Sequence, residues 1–256
     1  MTLKDELLTA EIDVCERLRV RLGELGNQLG GRTNPIVTVT YAQSIDGCIA
    51  PLGGGTLQLS NAATQRMTHQ IRGFHDAILV GINTVLSDDP QLTVRLANGN
   101  DPQPIVLDTH LRFPLEAKLL CHPCLNPIIV AGPEACEQKE RWLTQSGAQI
   151  LRVPVCEKGL IDLNQLLPLL KTMGLQTLMV EGGSEVITNM LAQQVVDQLL
   201  VAISPQLIGG LHAVNPRLAR QPMPQLHNVQ FQLIDNDLVV WGQFESGNQR
   251  ANKTTD

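Results

Sequence analysis

Apolar and polar residues follow two different periods along this chain, one typical of buried strands and one typical of amphipathic helices. Short apolar runs rich in Val, Ile and Leu predict strands at residues 35–42, 77–82, 104–107, 127–130, 149–153, 176–180 and 198–204. Apolar residues at three- and four-residue steps predict helices at 3–25, 61–72, 133–145, 163–173 and from 184 onward. Two last apolar runs, 229–233 and 238–244, flank a turn of Ile-Asp-Asn-Asp and predict a hairpin.

Strands that alternate with helices are typical of an α/β domain with a largely parallel sheet, because parallel neighbours need a helical crossover between them. The C-terminal hairpin adds an antiparallel edge, and helices are expected on both faces of the sheet. We therefore predict one domain over residues 35–246. An amphipathic helix and linker over 1–34 precede it, and a polar tail over 247–256 follows.

The composition is that of a globular protein, since 256 residues of which 43% are hydrophobic and 17% charged can bury a substantial core. A formal net charge of −6 gives no broad attraction for nucleic acid or an anionic membrane, so an anionic ligand has to be held by a few local cations. The N-terminal residues carry acids and lack the basic region and apolar run of a secretory signal, which predicts a cytoplasmic protein. Cys121 and Cys124 have zinc-motif spacing, but no second ligand pair follows, so we predict free thiols and no metal.

The segment 176–191 runs a strand into an acidic residue, two glycines and a helix. Gly182 and Gly183 have no Cβ, so a pyrophosphate can approach their backbone N–H groups and the positive end of the helix that begins near Ser184. The spacings of the P-loop and of the GxGxxG motif are both absent. A tight turn without a ligand therefore explains these glycines equally well.

Ligands of open α/β sheets bind outside the carboxyl ends of the strands, so the loops after the strands are the candidate sites. Asp46 follows the first strand and can hydrogen-bond a substrate or close a local turn. The glycine-rich loop 51–56 is either a mobile flap or a solvated tip. The run 81–95 gathers small, hydroxyl, acidic and basic residues, among them Thr84 and Arg95. These can bind ribose and phosphate, or they can cap a turn and pair on the surface.

Five motifs in order resemble those of the riboflavin-biosynthesis reductases. They are Ser44-Ile45-Asp46-Gly47, the run 81–95, Val106 through Pro114, Val180-Glu181-Gly182-Gly183, and Val196 through Gly209. The resemblance covers about residues 35–245 and implies a dihydrofolate-reductase-like fold. Bifunctional members of that family also carry a zinc deaminase domain with HxE and PCxxC motifs. This chain has neither motif, so it resembles the reductase alone.

The resemblance implies that NADPH reduces the ribosyl group of a phosphoribosylamino-pyrimidine to ribityl, in a homodimer. The net charge predicts that neither nucleic acid nor membrane is a partner. By motif matching, the cofactor is lined by Ala42, Thr84, Asp88, Thr109, Gly182, Gly183, Ser184, Glu185, Val186 and Ile187. Thr109 and Arg112 are expected at the 2′-phosphate. The substrate is lined by Thr56, Arg72, Leu92, Arg95 and Glu181. Asp46 and Glu181 are the candidate catalytic residues.

Two positions depart from the bifunctional members of the family. Thr40 stands where they often have a lysine, and Cys48 stands where they often have Lys or Arg. Folds of this type accept other hydride acceptors, so a reductase of a pterin or dihydrofolate is an alternative, as is a catalytically silent nucleotide-binding protein. Structural explanations also exist for Arg72, as a cation at the negative end of its helix, and for His69 and His75, as surface or cap histidines.

Overall fold

A computed structural model describes residues 13–27, 31–53, 57–215 and 224–244. The helices of this part of the chain are α1 Val14–Asn27, α2 Ala62–Arg72, α3 Ile82–Asp88, α4 Glu137–Gln145, α5 Leu163–Thr172 and α6 Ser184–Ala192. The strands are β1 Ile36–Ser44, β2 Cys48–Ala50, β3 Ala77–Gly81, β4 Gln103–Leu107, β5 Ile128–Ala131, β6 Gln149–Arg152, β7 Thr177–Val180, β8 Gln198–Ser204, β9 Leu211–His212, β10 His227–Ile234 and β11 Asp237–Gln243. None of these helices has the length and apolar character that crossing a membrane requires.

Nine strands form one sheet in the order β10-β11-β8-β1-β7-β3-β4-β5-β6. Every pairing from β8 through β6 is parallel. The hairpin of β10 and β11 adds an antiparallel edge beside β8. The predicted mostly parallel sheet with an antiparallel C-terminal edge is therefore confirmed.

Helices cover both faces of the sheet, because the parallel strands bury both sets of their alternating side chains. On one face, Val37 and Val39 of β1 share a core with Leu166 of α5 and Ile187 of α6. On the other face, α1 and α2 pack on β1, β7, β8 and β11. On that same face, α3 and α4 pack on β3, β4 and β5. The predicted placement of helices on both faces is confirmed.

Two local structures differ from the prediction. The beginning of the run 81–95 is the short helix α3 rather than loop, because Ile82 and Val85 are buried against the sheet. The strands β2 and β9 form a small antiparallel ribbon, and each is too short for a two-residue period to be visible in the sequence. The predicted start of the first helix at residue 3 and the predicted tail 247–256 lie outside the described residues.

Candidate active site

Strands β7 and β3 are neighbours in the sheet, yet the chain leaves them toward opposite faces. After β7, Ile187 of α6 packs on one face. After β3, Val85 of α3 packs on the other. A crevice opens at such a switch point outside the carboxyl ends of the strands, where α/β proteins bind ligands. Here the crevice is a cleft of about 540 Å³.

The cleft gathers residues from three of the motifs found in the sequence. Its lining includes Thr84 of α3, Thr109 and Arg112 from the loop after β4, and residues 183–186 at the beginning of α6. Residues 159–161, which precede α5, line the same cleft. Much of the predicted cofactor set therefore meets in one place, although it is spread over a hundred residues of sequence.

Four other residues of the predicted cofactor set are absent from the lining. Ile187 is fully buried in the core below α6. Gly182 packs directly on the side chain of Val186. Ala42 is half-buried on β1, and Asp88 is exposed at the end of α3. Gly182 and Ile187 thus affect the cleft indirectly, by packing around α6, whereas Ala42 and Asp88 do not line it.

The two glycines before α6 have different surroundings. A Cβ added at Gly182 would lie 2.6 Å from Cβ of Val186, so packing of the protein itself requires glycine there. A Cβ added at Gly183 would meet only Oγ1 of Thr84, at 3.7 Å. Gly183 is the N-cap of α6 and supplies no capping side chain. The buried Oγ of Ser184 has no hydrogen-bond partner among the described residues. An uncapped helix N-terminus with a spare hydroxyl suits an anionic ligand.

The loop after β4 contributes cationic and polar groups to the cleft. Nη2 of Arg112 donates a hydrogen bond to Oδ1 of Asn83 at 3.0 Å. His110 is exposed and lines the same cleft. The loop is held by Asp108, whose Oδ2 accepts from the backbone N–H of Phe113 at 2.8 Å. Burial raises the pKa of the Asp108 carboxyl. A phosphate group would find hydrogen-bond donors and positive charge here.

Two residues of the predicted substrate set form an ion pair at the end of β7. Nε and Nη2 of Arg72 each lie 2.7 Å from a carboxylate oxygen of Glu181. The two side chains are only 11% and 18% exposed. Nη1 of Arg72 also donates to the carbonyl of Thr93 at 2.9 Å. Arg72 is therefore more than a charge at a helix end, since it joins α2 to β7 and to the loop that follows α3.

The remaining predicted substrate residues are not part of this ion pair. The Arg95 side chain is exposed, and its guanidinium forms no hydrogen bond or ion pair with the described residues. Leu92 has a positive φ of 54° and a buried side chain in the core under α3. A ligand would therefore meet the backbone of Leu92 rather than its side chain. Thr56 lies outside the described residues.

Asp46 ties the end of β1 to the loop before β9. Its carboxylate accepts hydrogen bonds from Oγ of Ser44, from the N–H of Ile208 at 3.3 Å and from the N–H of Gly209 at 2.7 Å. The Ser44 hydroxyl, followed by the Gly209 N–H, lowers the pKa of Asp46 to about 2. Asp46 is therefore ionised at neutral pH and has no proton to donate.

Cys48 and the two histidines of uncertain role are buried. Sγ of Cys48 accepts a hydrogen bond from the N–H of Gly210 at 3.1 Å. A thiol at this position provides no positive charge, unlike the Lys or Arg that bifunctional members often have there. Nδ1 of His75 lies 2.9 Å from the carbonyl of Ile71, which can only accept, so Nδ1 carries the ring proton. Burial lowers the pKa of His75 to about 4. His69 is also buried, so neither histidine is a surface residue.

Across the described ranges, no three His, Cys, Asp or Glu side chains are grouped as metal ligands. Cys121 and Cys124 are exposed free thiols.

Several polar residues of this region were not predicted from the sequence. Asn83 and His110 stand beside Thr84 and Thr109 in motifs already singled out, so their hydrogen-bonding side chains were a usable signal. Asp101 follows Asn100 in a polar stretch with no motif. Nothing local distinguished it.

The sheet order and its switch-point cleft define this protein as an α/β protein with a ligand site between α3 and α6. The family model of the RibD C-terminal domain matches residues 35–240. The chain belongs to this family.

Individual relatives agree with this assignment. The chain is 34% identical over 189 residues to the 2,5-diamino-6-ribosylamino-4(3H)-pyrimidinone 5′-phosphate reductase of Debaryomyces hansenii. This alignment covers 68% of this chain and 76% of that protein. It is 32% identical over 208 residues to the riboflavin biosynthesis protein RibD of Aquifex aeolicus, covering 81% of this chain but only 56% of that longer protein. The solved structure of the riboflavin biosynthesis reductase Rib7 from Saccharomyces cerevisiae superimposes with a TM-score of 0.71 at 26% identity, over 91% of this chain and all of that chain.

Proposed function

We propose that this protein reduces the ribosyl side chain of a 5-amino-6-(5-phosphoribosylamino)pyrimidine to ribityl in riboflavin biosynthesis, with NADPH as the reductant. The observation that carries the proposal is the cleft between α3 and α6, where residues of three family motifs converge. The names of the relatives support the substrate class. When bound, NADPH supplies the hydride that C1′ accepts. The substrate also takes up one proton at the ring oxygen as its C1′–O4′ bond opens.

The residues of the cleft fit a dinucleotide. The open approach to Gly183 and the unpartnered hydroxyl of Ser184 suit a pyrophosphate at the N-terminus of α6. Thr109, His110 and Arg112 offer hydrogen bonds and positive charge to a 2′-phosphate. These three side chains favour NADPH over NADH, because the two cofactors differ only by the 2′-phosphate.

Of the two arginines predicted to bind the substrate, Arg72 is already hydrogen-bonded within the protein, whereas Arg95 is available to a ligand. The fork of Arg72 is already bound to Glu181 and Thr93, which leaves little of it for a ligand. Arg95 has an exposed guanidinium, so we assign it to the 5-phosphate. Glu181 lies two residues before Gly183 of the cofactor cleft, so we place it between the two ligands, beside the reacting ribose. The anion Asp46 then acts by orienting the loop around Gly209 rather than as an acid.

A homodimer in the cytoplasm is part of the proposal. Phe231 and Leu233 lie on the edge strand β10 with 67% and 69% of their surface exposed. A second copy of the chain that covered this apolar strip would remove it from water. Sedimentation velocity should give twice the mass of the chain. A mass of one chain at micromolar concentration would contradict the dimer.

Loss of NADPH absorbance tests the activity directly. The purified protein is mixed with the 2,5-diamino-pyrimidinone phosphate, with the corresponding 5-amino uracil phosphate, and with dihydrofolate. We expect turnover with one of the two pyrimidine phosphates and none with dihydrofolate. Turnover with dihydrofolate alone would favour the pterin-type reductase. No turnover with any of the three would favour the catalytically silent nucleotide-binding protein.

A further inference from the structure

The loop between α3 and β4 carries Arg95 without any regular secondary structure from residue 89 to 95. Leu92 anchors it, with a buried side chain and a positive φ of 54°. This conformation is strained for a residue other than glycine, so surrounding contacts must hold it. The residues after Leu92 belong to no helix or strand that would fix their backbone.

Side chains from elsewhere bind the backbone of residues 93–95. Oδ1 of Asp101 accepts a hydrogen bond from the N–H of Val94 at 2.6 Å. Nδ1 of His69 accepts one from the N–H of Arg95 at 3.2 Å. The carbonyl of Thr93 is bound by Arg72, as described above. Each of the three residues thus has a backbone group fixed by a polar side chain.

We propose that His69 and Asp101 are positioning residues, which hold the 93–95 backbone so that Arg95 is presented to the phosphate of the substrate. This inference rests on the proposed function and extends it to two residues outside the family motifs described above. Neither side chain contacts a ligand in this account. They act through the segment that carries Arg95.

The chemistry of His69 suits this task. A ring nitrogen accepts a hydrogen bond only when it is unprotonated, so the bond to the Arg95 N–H requires neutral imidazole. Burial, followed by the nearby charges of Arg72 and Arg95, lowers the pKa of His69 to about 4. His69 therefore stays an acceptor throughout the neutral pH range.

A buried histidine lies behind Asp101. Nδ1 of His122 accepts from the N–H groups of Cys124 and Leu125, at 3.3 and 3.1 Å, so the ring proton of neutral His122 is on Nε2. That Nε2 is buried and lies 3.7 Å from Oδ2 of Asp101. The His122 side chain is only 1% exposed. Asp101 therefore has a buried polar neighbour for one oxygen and Val94 for the other.

Matched substitutions separate positioning from general damage. Asp101→Ala and His69→Ala remove the acceptor, whereas Asp101→Asn and His69→Asn keep an amide oxygen in reach of the same N–H. Ribose 5-phosphate is the probe, and its binding is measured by calorimetry. Backbone amide exchange of Val94 and Arg95 is measured on the same proteins. Neither measurement needs turnover.

We expect the alanine variants to bind ribose 5-phosphate about tenfold more weakly, which corresponds to about 1.4 kcal/mol. The asparagine variants should stay within about threefold of the wild type. Exchange should accelerate at Val94 in Asp101→Ala and at Arg95 in His69→Ala, while NADPH affinity stays unchanged. These results together would support positioning.

Wild-type affinity and protection in both alanine variants would overturn the inference. An equal loss of NADPH affinity would also overturn it, because that outcome indicates general damage. Failure of the wild-type protein to bind ribose 5-phosphate would also overturn the inference. If the wild type binds the probe but never oxidises NADPH, the proposed function fails and the positioning inference survives.

Discussion

The two glycines that precede α6 should respond differently to the same substitution. In Gly182→Ala the new carbon would lie 2.6 Å from Cβ and 2.7 Å from Cγ1 of Val186, so the turn or the helix has to move. In Gly183→Ala the nearest atom, Oγ1 of Thr84, would be 3.7 Å away, which is an ordinary van der Waals contact. One added methyl group therefore tests the packing at the first position and the ligand at the second.

The magnitudes follow from these contacts. Overpacking of this kind costs about 1–3 kcal/mol, so Gly182→Ala should lower the free energy of unfolding by that amount. Gly183 is an N-cap, where alanine is the poorer residue, so Gly183→Ala should cost under about 1 kcal/mol. If a pyrophosphate lies against Gly183, the methyl group displaces it from the helix N–H groups. Loss of one charge-assisted hydrogen bond, about 1.5–3 kcal/mol, raises the NADPH dissociation constant about tenfold or more.

Urea unfolding gives the free energy of unfolding of each variant, and calorimetric titration gives its NADPH affinity. Gly183→Val, with a larger side chain at the same place, should weaken the cofactor further. Wild-type NADPH affinity in a folded Gly183→Val protein would refute a pyrophosphate at this position. Unchanged stability of Gly182→Ala would refute the packing argument.

Three other substitutions and conditions have defined outcomes. Arg95→Ala should raise KM for the phosphorylated pyrimidine about tenfold or more and leave KM for NADPH within about twofold, and equal changes in both would contradict the phosphate assignment. Arg112→Ala should weaken NADPH about tenfold and leave NADH nearly unchanged, since only NADPH carries the 2′-phosphate, and equal weakening would place that phosphate elsewhere. Burial lowers the pKa of His75 from 6.5 to about 4, so the unfolded chain binds more protons and stability should fall as pH drops through this interval. The loss from His75 alone approaches about 3 kcal/mol, so His75→Gln should make the pH profile of urea unfolding shallower, with the part due to His69 remaining, and a wild-type profile already flat would contradict the burial argument.

Most of the sheet was predictable because each parallel strand is a short apolar run, and such runs are visible without tertiary information. The strand 198–204 was predicted with the bounds that β8 has in the structure. The short helix α3 was missed because it is only 7 residues long, so its apolar residues complete no more than one helical repeat. The ribbon of β2 and β9 was missed because pairing across more than 160 residues leaves no local pattern.

The candidate site divides in the same way. Thr84, Thr109 and Gly183 belong to motifs in sequence, and the parallel sheet brings their loops to one edge. His69 and Asp101 belong to no recognisable motif. Their partners are the backbone N–H groups of Arg95 and Val94, and these contacts exist only in the folded protein.

A crystal structure of the protein soaked in NADPH tests the central claim most directly. We expect the pyrophosphate within hydrogen-bond distance of the backbone N–H groups of residues 183–186, with the 2′-phosphate beside Arg112 and the nicotinamide directed toward Glu181. NADPH bound outside this cleft, or no binding with the cleft closed by side chains, would contradict it.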